Sequence, residues 1–233
     1  MRTGTGLVSE MRVDEHGRVS AWVRCAAELR PAPGQYIIAW DPLDREAALA
    51  QPLFAGEYGE QGFLALRAHP AWQPGDRLAL RGPLGSGFQL PAGARRVALV
   101  AFAGQAGRMM PLAHLALAQG AAVVLYGEPE VGSLPLLLEA FPLAALPEAL
   151  SWADFIAADA PLAELGRLGA LLGRQAEAGR TLTGQVLVDT PMPCAGAADC
   201  GLCATSGVNG WKLACKDGPV LDLRALDWRR AAG

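Results

Sequence analysis

The chain has 233 residues, of which 52% are hydrophobic and 18% charged, with 28 glycines and 17 prolines. That composition excludes a disordered or low-complexity polypeptide and suits a globular protein rich in turns, long enough for two domains of ordinary size. The formal net charge is -3 and the basic residues are scattered apart from pairs such as Arg95-Arg96 and Arg229-Arg230, so no stripe follows a phosphate backbone and nucleic acid is excluded as a partner.

The richest apolar stretch, Leu134 to Leu150, is broken by Pro135, Glu139, Pro142, Pro147 and Glu148, so no membrane span is expected. The opening residues, MRTGTGLVSEMRVDEHG, lack the apolar core of a secretory signal, and a cytoplasmic location is the expectation. Over residues 1–92 the segments GLVSEMRVD, RVSAWVRCA, GQYIIAW, GFLALRA and DRLALRG alternate apolar with polar residues between Gly, Pro and Asp, the pattern of a small antiparallel barrel. Over 93–189 the pattern changes. The continuous apolar run RVALVAF, a helical stretch over 106–119 and a second run, AAVVLYG, predict strand, helix, strand in a parallel sheet. A Leu-rich helix after Gly132, a strand in WADFIAA, a helix over 161–178 and the strand QVLVDT continue an open α/β unit. Over 190–233 the composition turns to Pro, Gly, Ala and Cys, with WKLAC and PVLDL placed to form a hairpin around Lys216-Asp217-Gly218. So few large apolar residues need a staple, which a metal centre would supply.

Four of the five cysteines fall between Cys194 and Cys215, with five, two and eleven residues between successive members. In a reducing compartment such a cluster reads as a metal site rather than as two disulfides, and the lone Cys25 as a small buried hydrophobe. Three thiolates in one loop with a fourth from a separate segment is similar to plant-type 2Fe-2S ligation, whose first gap is one residue shorter. Ala195, Gly196, Ala197, Ala198 and Gly201 let the backbone fold closely over a cluster and aim N–H groups at its sulfurs. The alternative is a four-cysteine zinc knuckle, which usually shows two short paired spacings where only Cys200 and Cys203 make one here. The histidines, His16, His69 and His114, stand in separate segments, and no hydrolase elbow, phosphate loop or zinc-protease motif occurs, so no catalytic residue is assigned.

MPCAGAADCGLC followed by CKDGPV resembles the C-terminal region of the electron-transfer subunit of dihydroorotate dehydrogenase, and GPLGSGF, from Gly82 to Phe88, is similar to that family's glycine-rich signature at the end of its barrel. The resemblance implies a ferredoxin-reductase-like two-domain architecture, β-barrel plus α/β, with a small C-terminal iron-sulfur subdomain. It further implies FAD on the barrel, NAD on the α/β unit, a 2Fe-2S cluster on Cys194, Cys200, Cys203 and Cys215, and a hetero-oligomer with a catalytic flavoprotein of pyrimidine biosynthesis. Carried over by position, cofactor contacts fall on Gln51, Pro52, Leu53, Phe54, Arg67, Gly82, Pro83, Leu84, Gly85, Gly104 and Gly107.

The chain departs from the family at two of these places. Gln51-Pro52-Leu53-Phe54 lacks the Arg and Ser of R-P-x-S that grip the FAD phosphates, and Ala103 to Leu112 keeps only two glycines of the run that lets backbone N–H groups approach a pyrophosphate. The expectation is an electron-transfer subunit that turns over no substrate alone and relays electrons through its cluster to or from a flavoprotein, with NAD binding weak or absent. The alternatives are a flavin-free interaction module or single-cluster wire, and a zinc-stapled structural subunit.

Overall fold

The computed structural model describes residues 2–43, 50–102, 106–127, 138–176, 183–228 and 230. Six strands, β1 (Arg2–Val13), β2 (Val19–Cys25), β3 (Tyr36–Trp40), β4 (Gln51–Gly59), β5 (Gly62–Leu66) and β6 (Arg77–Leu84), close into an antiparallel barrel in the order β1-β2-β5-β4-β3-β6. Alternate residues point inward along each strand, and Val8, Val23, Ile37, Leu53, Phe63 and Leu78 are fully buried in one core. Closure removes the free edges that an open antiparallel sheet would expose. Alternation marks five of these strands. It misses β4, where Pro52 interrupts the rhythm and Gly56 lies in a bulge against β5.

Eight more strands follow: β7 (Arg96–Ala101), β8 (Ala122–Gly127), β9 (Glu139–Pro142), β10 (Phe155–Pro161), β11 (Gly184–Asp189), β12 (Ala204–Gly207), β13 (Gly210–Leu213) and β14 (Val220–Asp222). The helices are α1 (Ala106–Ala118), α2 (Leu146–Ala149) and α3 (Leu165–Ala176). A six-stranded sheet runs β14-β11-β10-β7-β8-β9, parallel except where β14 meets β11. The central strand β7 buries Val97, Ala98, Leu99 and Val100 completely, as a strand covered on both faces must. Tyr36, Ile38 and Phe54 face outward from the barrel into this second core, which also holds Cys203, Ala214 and Cys215. The barrel wall is therefore one layer of the α/β core.

Three sequence expectations change. Lys216-Asp217-Gly218 turns no hairpin: β12 and β13 pair around Val208 and Asn209, and β14 pairs with β11 instead. Val220 and Leu221 are buried by that choice, while Asp217 accepts from the Leu213 N–H at 2.8 Å and turns the chain. The C-terminal segment is thus built into the sheet rather than hung beside it. The Leu-rich helix expected after Gly132 begins on 133–137, outside the described residues, and beyond them the chain forms β9 and the single turn α2. The helix over 161–178 starts later, at Leu165, after a 3-10 turn over Leu162–Glu164, and its expected last residues, 177–178, lie outside the described residues. No helix among the described residues is long and apolar enough to cross a membrane.

Leu99→Ala removes side-chain volume at the centre of the sheet and is expected to cost about 2–5 kcal/mol, read from urea unfolding midpoints at unchanged slope. A loss within about 0.5 kcal/mol, the range of surface substitutions, contradicts the core placement.

Candidate functional site

The four C-terminal cysteines come together as two pairs. Cys203 and Cys215, 1% and 4% exposed, hold their Sγ atoms 3.2 Å apart, well beyond the roughly 2.05 Å of a disulfide. Cys194 and Cys200, nearer the surface, form a group with Asp199 whose ligand atoms lie within 4.8 Å of one another, and neither buried cysteine belongs to it. Ala198 lies between the pairs, and its N–H favours the thiolate form of both Cys194 and Cys215.

Backbone conformation produces this convergence. Ala195, Gly196, Ala198 and Gly201 have φ of 50, 80, 66 and 72°. Left-handed residues among right-handed ones curl a chain so that successive N–H groups face inward as an anion nest. The N–H groups of Ala198, Asp199 and Cys200 converge on Cys194 in this way. The two alanines pay about 1–3 kcal/mol each for that conformation, strain of the sort found at functional sites. Burial disfavours the Cys194 thiolate, but hydrogen bonds from Cys200 and from the three N–H groups outweigh it and bring its pKa down to about 7. Cys215 is pushed up to about 12 by burial and by its neighbours Cys203 and Cys194.

The barrel supplies the floor. Tyr36, fully buried on β3, donates from Oη to the Cys215 carbonyl at 3.0 Å, and Arg81 on β6 donates to the Ala195 carbonyl. Gly196 passes so close over Tyr36 that a Cβ would stand 2.5 Å from Oη. At the end of β6, Ser86 N–H donates to the Gly218 carbonyl at 2.6 Å. Gly85, with φ of 73°, lies where a Cβ would meet Gly218 O and Pro219 Cδ at 2.5 Å each. Leu84 and Gly85 therefore face the C-terminal segment, Gly82 packs on Ile37, and none of Gly82, Pro83, Leu84 and Gly85 lines the cavity described next.

Gln51, Pro52, Phe54 and Arg67 do come together, in a cavity of about 470 Å³ between barrel and sheet that Asp189 and Thr190 also line. Leu53 points into the barrel instead, fully buried. Gly107 is the second residue of α1, against Leu66, and Gly104 lies outside the described residues. The cavity has the size of a small-molecule site and an apolar wall suited to a planar ring. Among the described residues its lining offers one cation, and that cation is engaged: Arg67, with φ of 59°, donates from Nη1 and Nη2 to both Asp189 oxygens at 3.0 and 2.7 Å. The charges of the described lining residues sum to zero, so these residues fit a flavin ring by size and do not fit an FAD diphosphate by charge.

Behind the cavity lies a charge network that the sequence motifs did not mark. Arg108, in the first turn of α1, donates from Nε and Nη2 to Asp159 at 2.7 and 2.6 Å. Its Nη1 stands 3.1 Å from Asp189 Oδ1, an ion pair without the alignment of a hydrogen bond. The guanidinium carbon lies 5.1 Å from the centre of the Phe54 ring. Arg108 is 2% exposed and Asp159 fully buried. Burial pushes the Asp159 carboxyl up to about 6 against the pull of Arg108, whereas for Asp189 the two guanidiniums outweigh burial and hold it below the usual carboxylate range. The signal in the sequence is that FIAADAP and QVLVDTP each bring an apolar strand to its end with one Asp, which places carboxylates along the carboxyl edge of a parallel sheet.

Two measurements check this geometry. Arg108→Met is expected to lower unfolding stability by about 3–5 kcal/mol, because it strands a buried carboxylate, and Arg108→Met with Asp159→Leu to recover most of the loss; a single variant as stable as the parent contradicts the network. In metal-free protein, alkylation of Cys194 should rise through a midpoint near pH 7, since the reactive thiolate forms above that value, while Cys215 resists until far into alkali. Gly85→Val, which lifts the C-terminal segment off the barrel, should make Cys203 and Cys215 reactive at neutral pH; if they stay protected, the docking described here is wrong.

No family profile matches the sequence, and neither does any curated protein. Solved structures match it through the fold. The NADH-dependent reduced ferredoxin-NADP oxidoreductase, described in connection with flavin-based electron bifurcation, aligns over 97% of this chain and 92% of its own, with a TM-score of 0.71 at 17% identity. The cytochrome P450 reductase GcoB of Amycolatopsis aligns over 81% of this chain and 70% of its own, with a TM-score of 0.62 at 17% identity. The ferredoxin reductase in carbazole 1,9a-dioxygenase covers 77% of this chain and 67% of its own, with a TM-score of 0.59 at 16% identity. At such identities the likeness speaks for the backbone alone, and on that ground the chain has a ferredoxin-reductase-like fold, an antiparallel barrel joined to an α/β sheet.

Proposed function

We propose that this chain is an electron-transfer subunit that holds a 2Fe-2S cluster on Cys194, Cys200, Cys203 and Cys215 and relays electrons to or from a flavoprotein partner, as the resemblance to the electron-transfer subunit of dihydroorotate dehydrogenase implies. The observation that carries the reading is the convergence of four thiols as two pairs inside a curl of inward-facing N–H groups. A single tetrahedral zinc needs all four sulfurs within about 3.8 Å of one another, given Zn–S bonds of roughly 2.3 Å. Two separate pairs suit a binuclear centre better, one pair to each metal, and N–H groups aimed at sulfur are among the devices that set a cluster's potential. When bound, the cluster would supply one-electron chemistry, and the chain's own part is to hold it at a face where Cys200 is exposed. In this reading residues 1–92 form a barrel that serves as scaffold, 93–189 a nicotinamide-domain-like unit, and 190–233 the cluster-binding subdomain of a cytoplasmic protein.

The structures aligned above carry redox names, ferredoxin reductase and cytochrome P450 reductase among them, which favours an oxidoreductase role on a shared architecture. A second reading, a flavin-free single-cluster wire, is favoured by one observation: the Arg67 guanidinium that would meet a flavin diphosphate is spent on Asp189. We therefore assign the flavin of the relay to the partner.

Anaerobic purification with iron, acid-labile sulfide and flavin quantified together tests both readings. About two irons and two sulfides per chain, with a paramagnetic signal on reduction that Cys203→Ser abolishes, is the expected result. Zinc without sulfide refutes the cluster, and flavin copurifying at one per chain refutes its assignment to the partner.

A further inference from the structure

Along β6, Leu78 and Leu80 point into the barrel core, which turns Arg81 to the outer face of the wall. That face is the floor under the cysteine loop. Arg81 donates to the Ala195 carbonyl and Tyr36 to that of Cys215, and Arg81, Cys194 and Ala195 border one cavity of about 450 Å³ with Trp40 and Asp41. The Tyr36 hydroxyl lies within electrostatic reach of Arg81, Cys194, Cys203 and Cys215 alike. This guanidinium and three of the four thiols therefore share one neighbourhood.

Arg81 meets no carboxylate there. Among the described residues it makes no ion pair, and Asp41, the acid on the same cavity, turns its carboxylate to the Leu43 N–H at 2.8 Å. A part-buried guanidinium bonded to a carbonyl keeps its full charge, and an anion opposite it offsets the cost of taking that charge out of water. The thiols are that anion once they hold a metal, because it is the thiolate that coordinates.

We propose that Arg81 is the counter-cation of the thiol-bound centre and, as a positioning residue, favours its reduced state. The first half applies to any metal held by these thiolates; the second rests on the cluster reading above. A binuclear iron centre on four thiolates and two sulfides is negative when both irons are ferric. It gains a further negative charge when one electron from the partner converts one iron to ferrous, so a cation beside it stabilises the reduced form more. Net charge is among the quantities that set a cluster's potential. The bond to Ala195 adds an effect of geometry, since it holds a residue with φ of 50° in the loop that aims N–H groups at Cys194. Charge and geometry are separable by substitution: Lys keeps the cation without the planar fork, and Gln keeps a donor without the cation.

The test uses the full chain, purified anaerobically, with the paramagnetic signal of the reduced centre followed through a redox titration. Arg81→Gln is expected to lower the midpoint by at least about 59 mV, a tenfold change in the one-electron equilibrium, and Arg81→Lys to move that equilibrium by less than about threefold. A Gln variant that shifts it by less than about twofold, or toward easier reduction, overturns the proposal. So does a Lys variant displaced as far as the Gln variant, because the bond to Ala195 then accounts for the effect. Metal-free protein titrated with zinc against a chelating dye gives a readout that needs no iron: Arg81→Gln should bind zinc at least about tenfold more weakly, a change of about 1.4 kcal/mol. Equal zinc affinity in the two proteins, or a parent that takes no zinc, overturns the counter-cation role. Should Arg81→Gln not fold, Thr3→Glu replaces it, an exposed substitution opposite Arg81 on β1 that sets a carboxylate against the guanidinium. It should shift both readings the same way, and no shift overturns the proposal. A preparation without iron and sulfide refutes the cluster reading and leaves the zinc titration valid, so the two failures are distinguishable.

Discussion

Arg108 keeps a full positive charge where almost no water reaches it, and a guanidinium so placed is tolerable only if carboxylates meet it directly. Asp159 and Asp189 meet that need from the ends of adjacent strands, and Arg67 arrives from the barrel to balance the second of them. Satisfying one buried cation therefore fixes α1, the carboxyl edge of the sheet and the barrel relative to one another. Phe54 strengthens the same junction, since its ring lies beside the guanidinium on one side and near Tyr36 on the other, with ring centres 6.0 Å apart. The two lobes meet through a shared core and a neutral ion network, not across a loose polar interface of the sort that lets domains hinge.

The cysteine segment depends on that junction in turn. It has too few large apolar residues to form a core of its own, and it borrows one: Cys203, Ala214 and Cys215 join the α/β core, and β14 extends the sheet. Tyr36 reaches from the barrel to the Cys215 carbonyl, Arg81 to the Ala195 carbonyl, and Ser86 to that of Gly218. Side chains are kept out of the way where these contacts are closest, at Gly85 and Gly196. The outcome is an asymmetric site, with one thiol pair sealed in the core and the other near solvent. For the proposed relay, that asymmetry leaves one edge of the centre within reach of a partner and keeps the other dry.

Much of the architecture was legible in local patterns. Period-two alternation marks β1, β2, β3, β5 and β6, and continuous apolar runs mark β7, β8 and β11, because burial on one face or on two imposes those patterns on any strand. β4 escaped because Pro52 and Gly56 break the alternation, and neighbouring strands hold it in place. The hairpin expected around Lys216 failed for a related reason: Val220 and Leu221 bury more against β11 than a free hairpin could offer, and only the fold brings β11 near.

The switch from alternating to continuous apolar strands is by itself enough to indicate a barrel followed by an α/β unit, and the spacing and small neighbours of Cys194, Cys200, Cys203 and Cys215 indicate that these cysteines gather in one C-terminal segment. Those features are local, since a tight loop needs small residues and a strand's environment is written into its period. Tertiary structure alone decided that GPLGSGF receives the cysteine segment instead of lining the cavity, that Arg67 is bound to a carboxylate, and that Arg108 pairs with the buried Asp159. Each of these is a pairing of residues 51 to 133 positions apart, from Arg108 with Asp159 to Gly85 with Gly218. The free energy of such a pair comes from desolvation and charge compensation in three dimensions, and neither leaves a period or a spacing in one.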